Sequence, residues 1–110
     1  MLESIISANL VLIDECVTSK LESFLKGKKL KAEVIAVSKT PELRGKKDDY
    51  LMELCYEYNT CLITRDVPFF YRYHGAKILF HNNYYWIEIF KDLRKYFNST
   101  QCNYKYLFLN

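Results

Sequence analysis

Three aspartates stand where their carboxylates could work together. Asp14 follows the apolar run NLVLI, Asp66 follows the run CLIT and one arginine, and Asp48 opens the segment DDYLMELCYEYN. Converging carboxylates repel one another unless a cation occupies the cluster or protons are taken up. Hard oxygen ligands favour Mg²⁺ or Mn²⁺, and such ions activate water and stabilise charge on a phosphodiester. The predicted chemistry is therefore metal-assisted phosphodiester hydrolysis.

Each acid also has an ordinary structural interpretation. Asp48 could be only a helix N-cap, and Asp14 and Asp66 could be turn residues after strands. Their shared position favours a site, because the carboxyl ends of parallel strands lie at one edge of a sheet. A helix that leads into a strand begins at that same edge. We therefore expect the three acids to converge there.

Basic and aromatic residues flank the acids. The basic ones precede Asp48 or Asp66 directly, and they are Arg44, Lys46, Lys47 and Arg65. A phosphate backbone that approaches a metal site needs such charges, so we expect these residues to bind nucleic acid. The aromatic ones follow Asp66, and they are Phe69, Phe70, Tyr71 and Tyr73. Exposed rings could stack on unpaired bases, and packing in the core is the alternative.

The hydrophobic pattern predicts strands that alternate with helices. The predicted strands are Asn9–Ile13, Ala32–Val37, Cys61–Thr64, Ala76–Phe80 and a weaker Tyr104–Leu109. The predicted helices begin at Ser19, at Asp48 and at Asn82 or Asn83, and they end near Gly27, Asn59 and Phe97. Ser19 and Glu22 form an S-x-x-E capping box. The stretch between the third and fourth strands is predicted to be a loop. This alternation indicates an α/β fold, a three-layer α-β-α sandwich with a mostly parallel central sheet.

Composition limits the class of protein. The chain has 110 residues, half of them apolar and 26% charged, with a formal net charge of +3, and we expect one domain over residues 1–110. Its four cysteines show no C-x-x-C spacing, and Cys16 is interpreted as a small apolar residue rather than a nucleophile. The N-terminus has no basic stretch and no long apolar run. We therefore expect a cytoplasmic (intracellular) protein with reduced thiols and no membrane contact.

Three motifs in order resemble those of a compact branch of the PIN-like nucleases, which is similar to the toxin nucleases of toxin–antitoxin systems. They are LIDE at Leu12–Glu15, RGKKDD at Arg44–Asp49 and LITRD at Leu62–Asp66. The resemblance covers about residues 9–81. It implies a PIN-like fold and a metal-dependent nuclease, most readily a ribonuclease.

The resemblance also implies roles for individual residues. Asp14, Asp48 and Asp66 would be the ligands of Mg²⁺ or Mn²⁺. Thr64 would orient Asp66 or a bound water through its hydroxyl, and Glu15 would support the ligands from behind. Asp49 competes with Asp48 for the same role. The implied partners are RNA or another single-stranded nucleic acid, with an antitoxin-like protein and a homodimer left open.

One departure from the family pattern supports a different function. Many PIN domains carry a fourth acid after the last motif, whereas Asp66 is followed by VPFFYRYHG, which has no carboxylate. The alternative is therefore a catalytically inactive PIN-like binding or interaction module. A phospho-receiver domain is disfavoured because the strand AEVIAV ends in Ser38-Lys39 rather than in an aspartate.

Overall fold

The computed structural model describes residues 9–83 and 85–98. Within them the strands are β1 (Asn9–Ile13), β2 (Glu33–Ala36), β3 (Asn59–Thr64) and β4 (Ala76–Leu79). The α-helices are α1 (Lys20–Lys26), α2 (Asp48–Glu57), α3 (Val67–Arg72) and α4 (Trp86–Asn98). A single 3₁₀ turn, Val37–Lys39, follows β2. The predicted α/β class is confirmed.

The four strands form one parallel sheet in the order β2-β1-β3-β4. From β1 the chain first moves outward to β2, and then returns across β1 to add β3 and β4 on the other side. The strand order therefore reverses between β1 and β3. In open α/β sheets this reversal leaves a crevice at the carboxyl ends of the two strands, which is where ligands usually bind.

Helices cover both faces of the sheet, as the sequence predicts. Val11 and Ile13 of β1 belong to a buried cluster with α1 and α4, whereas Leu10 and Leu12 pack in a second cluster with α2 and α3. These four side chains are fully buried, so β1 has an apolar layer on each side. That is why its sequence is a continuous apolar run rather than an alternating one.

The prediction of a loop between β3 and β4 was wrong, because residues 67–72 form the helix α3. Asp66 is the N-cap of this helix and Pro68 lies in its first turn. An aspartate before a proline is typical both of turns and of helix starts. Burial of Phe69 and Phe70 decides between the two, since the helix places both rings in the core.

The capping box at Ser19 was also wrong. Ser19 has helical dihedral angles (φ −68°, ψ −13°) and makes no side-chain capping hydrogen bond. The Glu22 carboxylate instead accepts a hydrogen bond from the Ala36 backbone N–H at 2.8 Å. Glu22 therefore ties α1 to the end of β2, a contact that local sequence does not reveal.

Several predicted boundaries shift by one to four residues, and β4 ends at Leu79 rather than Phe80. β2 ends at Ala36 because the 3₁₀ turn begins at the next residue. β3 begins at Asn59, which was predicted to cap α2. α4 begins at Trp86 rather than beside Asn82 or Asn83, and its first turn is closed by the Tyr85 carbonyl, which accepts from Glu88 N at 3.0 Å. The predicted strand Tyr104–Leu109 lies outside the described residues.

Among the residues that the structure describes, no helix has both the length and the apolar character needed to cross a membrane.

Candidate carboxylate site

The first pair of predicted site residues lies at the carboxyl ends of β1 and β3. Thr64 is the last residue of β3, and Asp14 follows β1 directly, with its backbone N–H donating to the Ile63 carbonyl at 2.9 Å. The Thr64 hydroxyl donates to Asp14 Oδ2 at 2.7 Å. Thr64 is fully buried and Asp14 is 8% exposed. A buried hydrogen bond to a carboxylate is strong, so the two strands hold the Asp14 side chain in one orientation.

Thr64 also contacts the segment that carries Asp66. Its hydroxyl oxygen accepts a hydrogen bond from the Asp66 backbone N–H at 3.0 Å. The prediction assigned the Thr64 hydroxyl to Asp66 or to a water. The structure shows that its proton goes to Asp14 while its lone pair receives the Asp66 amide. One side chain therefore positions both acids.

Asp66 has a structural role in addition to its place at this edge. Its Oδ1 atom accepts from the Phe69 backbone N–H at 3.0 Å, which satisfies one of the free amides at the start of α3. This bond orients the carboxylate toward the first turn of the helix. Asp66 is thus both the N-cap of α3 and a predicted metal ligand.

Asp48 is the first residue of α2 and does not cap the helix. Lys47 has the extended N-cap conformation, and its side chain makes no capping hydrogen bond. The pKa of Asp48 is raised above its ordinary value of 3.8, first by burial and then by the negative charges of Asp66 and Asp14, with the Arg72 guanidinium opposing the shift. The three acids therefore share one electrostatic environment, although they come from three separate segments of the chain.

The side chains are not arranged as a closed metal cage. Within residues 9–83 and 85–98, no three His, Cys, Asp or Glu side chains lie close enough together to hold a metal ion. Asp14 Oδ1 accepts from the Glu15 backbone N–H at 2.8 Å, so both Asp14 oxygens already accept hydrogen bonds. Each carboxylate oxygen has a further lone pair, and three carboxylates are the donors that Mg²⁺ and Mn²⁺ prefer. The chemistry of the three carboxylates therefore fits such an ion, whereas the carboxylates would have to move closer together to bind it.

Glu15 connects the loop before α2 to the end of β1. Its carboxylate accepts a hydrogen bond from the backbone N–H of Gly45. Gly45 has a φ of +78°, a left-handed conformation that L side chains rarely adopt. Glu15 thus supports the site through the backbone of the Arg-Gly loop, which leads to Asp48.

Arg72 is a charged residue of this region that sequence reasoning missed. At the last position of α3, its Nη2 atom lies 2.5 Å from Asp49 Oδ1 and its Nη1 atom 4.0 Å from Asp48 Oδ2. An open pocket is lined by Lys47, Asp48, Asp49 and Arg72. Because α3 was not predicted, Arg72 was expected to lie in a loop, and no contact between Arg72 and α2 was predicted. Asp49 pairs with this arginine and is 82% exposed at its side chain.

The predicted nucleic-acid-binding residues are all exposed. They are Arg44, Lys46, Lys47 and Arg65. Lys47 lines the pocket beside Asp48, and Lys46 Nζ lies 5.3 Å from the centre of the Tyr50 ring. The Arg65 backbone N–H donates to Cys16 Sγ at 3.2 Å, which places this residue beside the Asp14–Thr64 pair.

The run of aromatic residues after Asp66 is mostly core. Phe69, Phe70 and Tyr73 are buried, whereas Tyr71 is 68% exposed. Phe69 and Tyr73 belong to the buried cluster of α2, α3 and the sheet, and Lys77 Nζ lies 4.6 Å from the centre of the Phe70 ring. Of the two alternatives for this run, burial in the core is confirmed for Phe69, Phe70 and Tyr73, and only Tyr71 is exposed enough to stack on a base.

Cys16 was interpreted as a small apolar residue, and this was wrong because the residue is exposed. Its thiol lies 3.5 Å from Asp14 Oδ2 and 3.6 Å from Thr64 Oγ1. The spacing of two residues from Asp14 was the available sequence signal. Cys16 is thus part of the polar contacts at the end of β1.

A comparison of the chain with protein families, with curated proteins and with solved structures finds no match.

Proposed function

We propose that the chain is a PIN-like, metal-dependent nuclease, and specifically a ribonuclease. The observation that carries this proposal is the hydrogen-bonded group of Asp14, Thr64 and Asp66 at the reversal point of a parallel sheet. Asp48 joins the same edge from α2, and its pKa is raised in part by the charges of the other two acids. The charges of Asp14 and Asp66 disfavour the charged form of Asp48, and a cation held near the three acids would offset that repulsion.

In this proposal Asp14, Asp48 and Asp66 hold Mg²⁺ or Mn²⁺. The ion, when bound, would activate a water and neutralise charge on the phosphodiester. Thr64 keeps Asp14 oriented across the two strands. The exposed cations Arg44, Lys46, Lys47 and Arg65 attract the RNA backbone toward this edge. The proposed substrate is RNA, and an antitoxin-like partner and a homodimer remain predictions.

An inactive PIN-like binding module is the second candidate. Two observations favour it: no three ligands stand ready around a metal position in the described part of the chain, and both Asp14 oxygens already accept internal hydrogen bonds. In such a protein the acids would serve as caps and strand-end contacts only. RNA could still bind to the basic residues of the same edge.

A cleavage assay separates the two functions. Labelled single-stranded RNA is incubated with the parent chain in Mn²⁺, Mg²⁺ or EDTA, and the variants Asp14→Asn and Asp92→Asn are treated alike. Asp92 lies on α4, which packs on the other face of the sheet from α2. We expect the parent and Asp92→Asn to cleave in Mn²⁺ or Mg²⁺ but not in EDTA, and Asp14→Asn not to cleave, because an amide binds these ions poorly.

Thermal melts of the same samples complete the test. An ion that binds the folded state should raise the melting temperature of the parent, and raise that of Asp14→Asn less. A parent that neither cleaves RNA nor melts higher in Mn²⁺ would contradict the nuclease proposal and leave the binding module.

A further inference from the structure

Arg72 is held in the pocket by two unequal contacts. Nη2 lies at hydrogen-bonding distance from Asp49, 2.5 Å, whereas Nη1 is 4.0 Å from Asp48 and makes no hydrogen bond with it. The closer partner is the more exposed one, with 82% of its side chain accessible against 36% for Asp48. An ion pair with an exposed partner contributes little to stability, so the guanidinium can exchange Asp49 for another anion at low cost.

The pocket is open to an anion from outside. Its lining is two cations, Lys47 and Arg72, and two carboxylates, Asp48 and Asp49. The Arg72 side chain is itself half exposed. A guanidinium carries parallel N–H groups that match two phosphate oxygens, whereas here it is divided between two carboxylates and makes full use of neither.

Metal binding at the proposed site would change the balance around Arg72. If Asp48 held a divalent ion, that ion would offset the negative charge that attracts the guanidinium and would itself repel the guanidinium. The ion would also attract a phosphodiester to the neighbourhood of Asp48. The attraction between Arg72 and Asp48 would then be weaker, and a phosphate would lie close enough for the guanidinium to bind.

We propose that Arg72 is a substrate-binding residue of this site, which pairs with Asp48 and Asp49 in the free protein and contacts an RNA phosphate in the complex. This inference rests on the proposed ribonuclease function. It assigns Arg72 two opposite effects: it weakens metal binding by its positive charge, and it strengthens RNA binding by its phosphate contact. A merely structural ion pair would also oppose metal binding by its charge, but its loss would leave the KM for RNA and the salt dependence unchanged, so the RNA measurements decide.

The test measures both effects on the full chain. Arg72→Gln removes the charge, and Arg72→Lys keeps the charge but lacks the two parallel N–H donors of the guanidinium. Arg94→Gln, on α4, is the matched control. Mn²⁺ affinity is taken from the ion concentration at the midpoint of the thermal shift. RNA binding is taken from KM and kcat for a labelled single-stranded RNA in saturating Mn²⁺ at several KCl concentrations.

We expect Arg72→Gln to bind Mn²⁺ more tightly than the parent while its KM for RNA rises about tenfold, the loss of one charge-assisted contact. Its salt dependence should become shallower by about 0.7 in the slope for one lost phosphate contact on a single strand. Arg72→Lys should keep the parent's Mn²⁺ midpoint and have an intermediate KM. Arg94→Gln should match the parent in every measurement.

The outcomes separate this inference from the proposed function. A parent that cleaves RNA, together with an Arg72→Gln that has the parent's KM and salt slope, overturns the role of Arg72 and leaves the nuclease standing. A parent that does not cleave and shows no Mn²⁺ shift overturns both. If Arg72→Gln fails to fold, Arg72→Lys decides: an unchanged KM in that variant contradicts recognition by the guanidinium fork.

Discussion

At the scale of single residues, the acids of this edge combine structural and chemical properties. Asp14 is buried and accepts from a hydroxyl and an amide, and Asp66 caps a helix. A capping role and a metal-binding role are usually treated as alternatives for one aspartate. In this protein the cap uses one oxygen of Asp66, so a variant can keep the cap and remove only the charge.

Substitutions of Asp66 can separate its capping role from its proposed metal-binding role. Asn is as good an N-cap as Asp, and it removes a charge that repels Asp48, so Asp66→Asn should be at least as stable as the parent in EDTA, whereas Asp66→Ala should lose the cap, which is worth about 1 kcal/mol. Both variants should lack metal-dependent RNA cleavage, because neither supplies the carboxylate charge. Urea unfolding and the cleavage assay on the same samples check this. If Asp66→Asn is as unstable as Asp66→Ala, the charge of Asp66 rather than its cap stabilises α3.

Asp48 should make stability depend on pH. Its pKa is raised in the folded protein above 3.8, mainly by burial and by the charges of Asp66 and Asp14. Between the unfolded and folded values the folded state binds more protons, so the free energy of unfolding falls as pH rises through that interval. Asp48→Asn removes this dependence. In EDTA, we expect Asp48→Asn to be more stable than the parent near pH 7 and to lose that advantage as pH falls toward about 4.

Urea melts of both proteins across this pH range measure the difference. Added Mn²⁺ should reduce the advantage of Asp48→Asn at neutral pH, because a bound cation relieves the repulsion in the parent. An advantage of the same size at every pH would show that the gain comes from packing or helix propensity and not from charge.

At the scale of elements, two short segments position the site. α3 has six residues and joins Asp66 at its start to Arg72 at its end. The loop before α2 turns at Gly45, whose amide is bound by Glu15. Neither segment is long enough to form alone, since isolated helices and turns of this length are marginal in water. They are held by contacts with the ends of β1 and β3.

Two glycines should respond to alanine with opposite signs. Gly45→Ala forces a Cβ into the left-handed region and should cost about 1–2 kcal/mol. Gly27 ends α1 with a φ of −75°, and a Cβ there meets only ordinary contacts of 3.5 and 3.6 Å. Gly27→Ala should therefore stabilise by about 0.4–1 kcal/mol through the unfolded state. Urea unfolding measures both, and a loss of stability in Gly27→Ala would contradict the conformational argument.

At the scale of the whole molecule, the sheet joins two apolar clusters that have no side chain in common. Cys61 lies in the cluster with α1 and α4, and Cys55 lies in the cluster with α2 and α3. Both thiols are buried, and burial raises the pKa of Cys55 to about 12. Each cysteine is therefore a reporter of one face of the sheet.

Native-state thiol labelling should distinguish these cysteines from Cys16. With iodoacetamide at about pH 8, exposed Cys16 should react in the folded protein, whereas buried thiols with raised pKa values should not. Cys55 and Cys61 should become reactive at the same urea midpoint, because both clusters share the central strands and a small domain unfolds cooperatively. Peptide mapping assigns each label, and Cys16→Ser is the control. Labelling of Cys61 at lower urea would show that the α1–α4 layer opens separately.

Local sequence determined where most elements lie. The bounds of β1 were predicted at Asn9–Ile13 because an apolar run of strand length must be buried on both faces. The positions of Asp14 and Asp66 just past strand ends followed from the same pattern, as did Asp48 at the start of a helix. These features depend on neighbours within a few residues, which a linear pattern contains.

Tertiary structure decided which of those residues meet. That β1 lies beside β3 brings Asp14 to the Thr64 hydroxyl, across 50 positions of the chain. Glu22 accepts a hydrogen bond from the amide of Ala36 instead of capping its own helix. Arg72 contacts Asp49 across 23 positions of the chain, because burial of Phe69 and Phe70 favours the helix α3 that carries Arg72 at its end. The order of strands and the choice among hydrogen-bond partners depend on packing over the whole sheet. A local pattern cannot specify them, because the competing partners are distant in sequence.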